Sequence, residues 1–245
     1  MLFEIWNITF SPSFYGFMYA ISFIIWYLLI KKSKKFSEEN LESLFMYVFM
    51  WVILWWRVGY VLFYNFSQYI ESSFEILKVW NGGMSFHGGV LWVVIALIIF
   101  AKKKWLSFYK VIDEIAYIIP IGLFLGRIWN YVNKELLGFS YSWPLAIQTS
   151  AGSFFPSPLL EAFLEWAILF TILRYFHKKK SFDGQIGSIF LIGYGVFRIF
   201  VEVFFRTPDA HIGYIFPYIS MGSILSFCMI IVGVWFYRKL RTPQK

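Results

Sequence analysis

Long apolar stretches alternate with short polar segments along the whole chain. A helix needs roughly 20 mostly apolar residues to cross a bilayer, and the sequence contains seven stretches of about that length. The pattern therefore predicts an all-α, polytopic membrane protein whose seven transmembrane helices form one domain, 1–245. The predicted transmembrane segments are 14–30, 43–64, 84–101, 111–129, 158–176, 186–205 and 218–237.

Basic residues collect at the ends of alternate predicted segments. They follow the first, third, fifth and seventh, and short loops rich in Lys and Arg stay in the cytoplasm. We therefore predict that the N-terminus is outside and the C-terminus is cytoplasmic. On the opposite side, the longest connection, about 130–157, is expected to form a small external cap or a re-entrant segment. The basic clusters are 31–35, 102–104, 177–180 and 238–241.

Composition agrees with this class and excludes others. Of the 245 residues, 59% are hydrophobic and 15% are charged, whereas a soluble domain carries roughly 25% charged residues. The net charge of +8 comes from clusters between apolar stretches, which argues against a nucleic-acid partner. The single Cys228 excludes an intrachain disulfide and Cys-based zinc spacing. No basic segment precedes the first apolar stretch, so no cleavable signal peptide is expected.

Ionisable residues inside the sixth predicted helix indicate a functional site. Such residues cost roughly 2.5 to 3.5 kcal/mol on insertion scales. Tyr194, Arg198 and Glu202 share one helical face at a spacing of four residues. One interpretation is a structural ion pair that lets two charges survive in a bundle. The other is an arginine that grips a lipid phosphate and is oriented by the glutamate, because the guanidinium fork matches phosphate oxygens.

A second arginine stands at the end of the fourth predicted helix. Arg127 and Asn130 are three residues apart and adjacent on the helix surface. Arg127 is either an interfacial arginine that extends to the polar boundary or the second cation of an anion site shared with Arg198.

A lone histidine opens the third predicted helix. His87 lies between two glycine pairs, 82–83 and 88–89, and histidine can exchange a proton near neutral pH. A structural histidine is the competing interpretation. Tyr15 in the first helix is either a belt aromatic or a lipid contact.

Other acidic residues give weaker signals. Asp113 and Glu114 are interpreted as helix-terminus charges. Glu161 and Glu165 are four residues apart in the fifth helix, and Glu161 is the better site candidate because it follows a Pro-Ser-Pro entry at 156–158.

Taken together, these segments resemble prolipoprotein diacylglyceryl transferases. The most specific likeness runs from 57–65 through 79–89 and includes Asn81-Gly-Gly-Met-Ser-Phe-His87-Gly-Gly89. The block from Gly126-Arg127 to Gly138 is similar to the family signature. The resemblance covers nearly the whole chain, apart from a shortened external segment around 139–155. The blocks that carry it are 57–65, 79–89, 126–138, 191–209 and 218–222.

The resemblance implies a reaction and its partners. The donor is phosphatidylglycerol, and the acceptor is the lipobox cysteine thiol of a prolipoprotein tethered by its signal peptide. The product is a thioether, and glycerol-1-phosphate is released. This is the first step of lipoprotein maturation. It takes place in the bacterial cytoplasmic (inner) membrane, where the enzyme also contacts other membrane lipids, and it needs no metal or organic cofactor.

The resemblance also suggests residue roles. His87 is expected to take the thiol proton, while Arg127 and Arg198 hold the phosphate and stabilise charge on the leaving group. Glu202 is expected to orient Arg198. The other expected substrate-binding residues are Tyr15, Asn130, Glu135, Gly138, Tyr194 and Arg206.

The chain also departs from the family pattern. At 155–161 it has Phe-Pro-Ser-Pro-Leu-Leu-Glu where the family usually has His-Pro-Ser-Gln-x-Tyr-Glu, so a catalytically dead homologue stays a competing interpretation. A transporter or receptor is a further alternative, but we see no repeat symmetry. Lys134 and Leu137 replace the usual Gly and Trp.

Six tryptophans stand where the family typically has glycine. Small residues let membrane helices approach closely, so these replacements predict a crowded bundle. Either the packing is remodelled, or UGA codons that the organism reads as Gly were translated as Trp. The positions are Trp51, Trp55, Trp56, Trp92, Trp129 and Trp166.

Overall fold

Helices account for most of the chain in the computed structural model, and each predicted segment overlaps helical backbone. The structure describes the backbone of 3–5, 8–10, 14–64, 86–207, 214–216 and 219–242, and side chains within 17–51, 93–207 and 219–242. The α-helices are α1 (Phe14–Ser33), α2 (Glu38–Tyr64), α3 (Phe86–Lys103), α4 (Phe108–Ala116), α5 (Ile119–Val132), α6 (Ser157–Ala162), α7 (Phe170–Lys178), α8 (Gln185–Phe204) and α9 (Met221–Arg241).

Three antiparallel hairpins accompany the helices. The hydrophobic pattern gives little sign of them, because strands of two or three residues are too short to show an alternating pattern. One hairpin lies within the predicted external segment. The strands are β1 (Phe3–Ile5) with β2 (Ile8–Phe10), β3 (Ile147–Thr149) with β4 (Gly152–Phe154), and β5 (Tyr214–Phe216) with β6 (Ile219–Ser220).

The fourth predicted helix is divided in two. Helix α4 ends at Ala116, and α5 begins at Ile119 with Pro120 in its first turn. Proline has no N–H to donate, and its ring clashes with the carbonyl four residues earlier. It is tolerated at a helix start for the same reason. The break therefore falls where Pro120 requires it.

The fifth predicted helix also changes its geometry along its length. Helix α6 is followed directly by a π-helical segment, Phe163–Leu169, and then by α7. π-Helical turns are rare and often occur at functional sites. Glu161 lies just before this segment, and Glu165 lies within it.

Two helices of the described residues, α8 and α9, are long and apolar enough to cross a membrane. The structure therefore agrees with a mostly helical protein that carries apolar helices. Seven crossings, their orientation and the external cap stay predictions.

The described chain divides into two compact units. Unit 1 comprises Met1–Phe17 and Ile24–Val111, and unit 2 comprises Met18–Phe23 and Ile112–Lys245. In unit 1, α2 packs against α3, and Leu44, Leu97 and Phe100 are fully buried.

Unit 2 is built around α8 and α9, which pack side by side. Small residues permit this approach. A Cβ atom on Gly195 would lie 2.7 Å from the Ser226 carbonyl oxygen, and one on Gly233 would lie 3.0 Å from that of Ser188. Small residues at membrane helix interfaces allow such close backbone contact.

A buried carboxylate fixes the start of α8. Asp113 accepts hydrogen bonds from the backbone N–H groups of Gly184 (2.8 Å) and Gly187 (2.9 Å), and pairs with Lys180. It thus serves donors that have no partner within the helix. Burial lowers the pKa of Lys180, but hydrogen bonds to Asp183 and Asp113 outweigh burial and raise that pKa overall. The sequence interpretation assigned Asp113 to the terminus of its own helix, whereas the structure places it within α4 and pairs it with the start of α8.

The tryptophans with described side chains are not tightly enclosed. Trp166 is 42% exposed, and its ring centroid lies 4.8 Å from that of Phe124. Trp51 and Trp129 are half-buried. The side chains of the remaining three, Trp55, Trp56 and Trp92, lie outside the described residues.

Candidate active site

Charged side chains from several elements of unit 2 converge on one buried cluster. Helix α5 contributes Arg127, and the α6–π region contributes two glutamates. Helix α8 contributes an arginine and a glutamate, and Arg206 follows two residues after its end. With three arginines and three carboxylates, the cluster is neutral overall. Its members are Arg127, Glu161, Glu165, Arg198, Glu202 and Arg206.

Glu161 stands at the centre of this arginine–glutamate cluster. Its Oε2 lies 2.9 Å from Arg127 Nη1. Its Oε1 contacts Arg198 Nη1 and lies 3.2 Å from Arg206 Nη1. The side chain is 1% exposed. A single buried carboxylate thus joins all three guanidinium groups, and its burial is stable only because those cations surround it.

Glu165 holds Arg127 through both of its oxygens. Arg127 Nε donates to Oε2 at 3.1 Å, and Nη2 donates to Oε1 at 3.0 Å. Such a two-point contact fixes the guanidinium plane as well as its position. Arg127 Nη2 also lies 3.5 Å from the Tyr194 hydroxyl, which brings the predicted Tyr194 into the cluster.

Glu202 holds Arg198 from one turn further along α8. The distance from Arg198 Nη2 to Glu202 Oε1 is 2.6 Å, so Glu202 is close enough for the orienting role that we predict for it. The other oxygen, Oε2, accepts a hydrogen bond from the Ser220 hydroxyl at 2.8 Å. The arginine is therefore tied, through one carboxylate, to the start of α9.

Exposure differs among the three arginines. The side chains of Arg127 and Arg198 are 13% and 12% exposed, whereas that of Arg206 is 2% exposed. The three carboxylates are also almost completely buried. Arg127 and Arg198 are therefore the more accessible arginines, and we call them the accessible edge of the cluster. Arg206 lies within the cluster, and its part in substrate binding stays a prediction.

Two further predicted residues form a smaller polar group at the end of α5. Asn130 Nδ2 donates to Glu135 Oε2 at 2.9 Å, and Asn133 Nδ2 donates to Oε1 at 3.2 Å. The Glu135 backbone N–H also donates to the Asn130 carbonyl oxygen at 2.9 Å. These contacts fold the chain back at the point where the helix stops, one turn after Arg127.

Gly138 is a backbone crossing point. It forms an isolated β-bridge with Arg206 and donates its N–H to the Phe155 carbonyl oxygen at 3.0 Å. An added Cβ would collide with the Phe205 carbonyl oxygen. Only glycine fits here, because the backbones of three segments meet without room for a side chain.

The structure brings together five of the predicted site residues and leaves two outside its description. Arg127, Tyr194, Arg198, Glu202 and Arg206 meet in one cluster, but the side chains of His87 and Tyr15 lie outside the described residues. Among the described residues, no group of His, Cys, Asp or Glu is arranged to hold a metal ion.

Sequence reasoning underrated the partners of the arginines. Glu161 was only a weak candidate, Glu165 was a weaker one, and Ser220 was not a candidate. The glutamates could have been found from the sequence, because arginines in or beside apolar stretches require a comparable number of buried carboxylates as partners. For Ser220, which lies in a two-residue strand, we find no such signal.

Comparison with known proteins identifies the family of the chain. The family model for prolipoprotein diacylglyceryl transferase matches residues 1–238. A phosphatidylglycerol–prolipoprotein diacylglyceryl transferase of Ehrlichia ruminantium (strain Welgevonden) is 41% identical over 92% of this chain and 90% of its own length. Enzymes with the same name from Proteus mirabilis (strain HI4320; 40% identity over 96% of this chain and 91% of its own length) and Vibrio atlanticus (strain LGP32; 41%, over 94% and 88%) are similarly close. The chain belongs to the prolipoprotein diacylglyceryl transferase family.

Proposed function

We propose that this chain transfers the diacylglyceryl group of phosphatidylglycerol to the cysteine thiol of a prolipoprotein. Its relatives carry this activity in their names. The structural observation that supports it is the accessible edge formed by Arg127 and Arg198 on a cluster of buried carboxylates. Two guanidinium groups joined through Glu161 suit a single phosphate, because N–H donors from two side chains can reach its oxygens together.

The reaction is a substitution at the glyceryl carbon that carries the phosphate ester. A C–S bond forms between that carbon and the cysteine, and the C–O bond to phosphate breaks. The electron pair of that bond stays on the released glycerol phosphate, and the thiol proton passes to a base. The leaving phosphate gains negative charge as the bond breaks, so guanidinium groups fixed beside it stabilise the transition state more than the bound donor.

Arg198 has the N–H groups needed for this role. A guanidinium has five N–H donors. Within the described part of the chain, the carboxylate contacts of Arg198 involve Nη1 and Nη2, one carboxylate each. Its Nε–H and one N–H on each terminal nitrogen therefore stay available to a phosphate. Arg127 commits its Nε and Nη2 to Glu165, so we assign it the lesser share of phosphate contacts.

His87 is our proposed base for the thiol proton, because the thiolate is the nucleophile. The His87→Gln variant keeps a polar side chain of similar size but cannot take the proton. We expect it to lose most transfer activity at neutral pH and to regain part of it as the pH approaches that of free thiol ionisation. Near-normal turnover across the pH range would remove His87 from the mechanism.

We further propose seven crossings of the bacterial inner membrane, with the N-terminus outside. The basic clusters at the ends of alternate helices support this arrangement. The β3–β4 hairpin would then form part of the external cap. In a Cys228→Ala background, a cysteine at Ser142 should react with an impermeant thiol reagent in intact cells, and one at Lys103 should not. The reverse pattern would contradict the orientation.

The activity itself is tested directly. Purified protein is incubated with phosphatidylglycerol and a lipobox peptide, and mass spectrometry follows the diacylglyceryl adduct and the released glycerol phosphate. Arg198→Ala should abolish both while the protein still inserts. Arg174→Ala is the matched control, because Arg174 is an exposed arginine near the end of α7. Absence of adduct with the wild-type protein would favour a catalytically dead homologue.

A further inference from the structure

Ser220 makes hydrogen bonds in two directions at the start of α9. As the residue before the first helical turn, its Oγ accepts a hydrogen bond from the Ser223 backbone N–H at 3.1 Å. The same hydroxyl donates to Glu202 Oε2 at 2.8 Å. Both Ser220 and Glu202 are buried. A hydroxyl has only one hydrogen to donate, so the bond to the carboxylate uses its whole donor capacity.

Gly222 leaves space for the Glu202 carboxylate that a larger residue would occupy. A Cβ atom at this position would lie 2.9 Å from Glu202 Oε1 and 3.1 Å from its carboxyl carbon. Such distances are shorter than van der Waals contact, so no larger residue fits without moving Glu202. The carboxylate therefore rests against the first turn of α9, whose unpaired N–H groups favour negative charge.

The two contacts help to fix Arg198, which Glu161 also contacts through Nη1. Glu202 holds the Ser220 hydroxyl with one oxygen and approaches Arg198 Nη2 to 2.6 Å with the other. If the Ser220 hydroxyl is removed, the Glu202 carboxylate can rotate about its side-chain bonds. The Arg198 guanidinium is then no longer held in one position from this side. Such second contacts often decide how well an active group is placed.

We propose that Ser220 and Gly222 are positioning residues for transfer, acting through Glu202 on Arg198. The inference rests on the proposed function. It extends the site to the last helix, whose start is tied to the phosphate-binding edge by one hydroxyl. It also separates two roles of Ser220, the cap of α9 and the anchor of Glu202, which can be tested independently.

The Ser220→Gly variant separates these roles. Glycine is nearly as good a helix N-cap as serine, but it has no hydroxyl for Glu202. If Ser220 positions Glu202, the variant should keep the cap of α9 and lose about tenfold in kcat, with little change in KM for phosphatidylglycerol, as expected for a hydrogen bond to a charged group that matters in the transition state. Stability is measured by SDS titration of helix content, and rates are expressed per folded protein.

A second variant approaches the same carboxylate sterically. Gly222→Ala should displace Glu202 and lower kcat by about tenfold or more. Ser226→Ala is the matched control, because it deletes a buried serine hydroxyl from the same helix without touching Glu202, and it should leave kcat unchanged.

The outcomes are distinguishable. A Ser220→Gly rate within about twofold of wild type would overturn the positioning role, whatever the stability. An equal loss of kcat in Ser226→Ala would also overturn it, because the effect would then belong to the helix as a whole. If the wild-type protein shows no transfer, the proposed function itself fails.

Discussion

Replacing the central glutamate tests whether the arginine–glutamate cluster is held together by charge. Glu161→Gln keeps the size of the side chain and removes its negative charge. The cluster then contains three guanidinium groups and two carboxylates. All three arginines lose a partner at once, because Arg127, Arg198 and Arg206 each contact Glu161.

The magnitude follows from burial. Glu161 is 1% exposed and Arg206 is 2% exposed, so water cannot compensate for the lost charge. Removing one partner of a buried ion pair typically costs about 3–5 kcal/mol. We expect a loss of stability in this range. A second change, Arg206→Met, would restore neutrality and should recover a large part of the loss, since a well-packed apolar replacement of a buried pair is often neutral.

Stability is measured by SDS titration in mixed micelles, with circular dichroism as the signal. The matched control is Glu39→Gln, which makes the same chemical change in an exposed pair. Glu39 lies 2.7 Å from Lys104 and its side chain is 82% exposed, and such pairs contribute little. If Glu161→Gln changes stability no more than the control does, or if Arg206→Met deepens the loss, electrostatic pairing does not hold the cluster together.

Three further predictions concern other parts of the molecule. Gly138→Ala should cost about 1–3 kcal/mol, because its Cβ would collide with the Phe205 carbonyl oxygen; a folded yield equal to wild type would contradict this. Asp113→Asn should cost about 1–3 kcal/mol in the same SDS titration, while the kcat of the folded fraction stays unchanged, since Asp113 fixes the start of α8. Intact mass of the protein from its native host should match tryptophan or glycine at the six unusual positions; codons other than UGA there would end the recoding explanation.

The sequence predicted helix positions well because long apolar runs leave few alternatives. It did not predict the short hairpins, which depend on contacts between chain segments rather than on local pattern. The break before α5 was readable in principle, since Pro120 marks it. The π-helical segment that carries Glu165 was not, because an extra residue per turn leaves no distinct mark on a continuous apolar stretch.

The site was predicted only in part, because the sequence shows charged residues but not which helices become neighbours. Charges in apolar surroundings are conspicuous, so Arg127, Arg198 and Glu202 could be selected from the sequence alone. Their partners are defined by which helices become neighbours, and spacing within one helix does not reveal this. Thus Glu161 was ranked low, although it contacts every arginine of the cluster.

The arrangement of charge explains how a neutral cluster can still favour an anionic transition state. The carboxylates are 1–3% exposed, whereas the side chains of Arg127 and Arg198 are 13% and 12% exposed, so an approaching phosphate would meet an arginine before it meets a carboxylate although the charges sum to zero. A net positive cluster would attract the donor more strongly, but its arginines would be poorly fixed. Glu161→Gln should therefore lower kcat without raising KM for the anionic lipid, because added charge strengthens ground-state attraction while lost orientation weakens transition-state binding. A variant with raised KM and unchanged kcat would show instead that Glu161 serves donor binding alone.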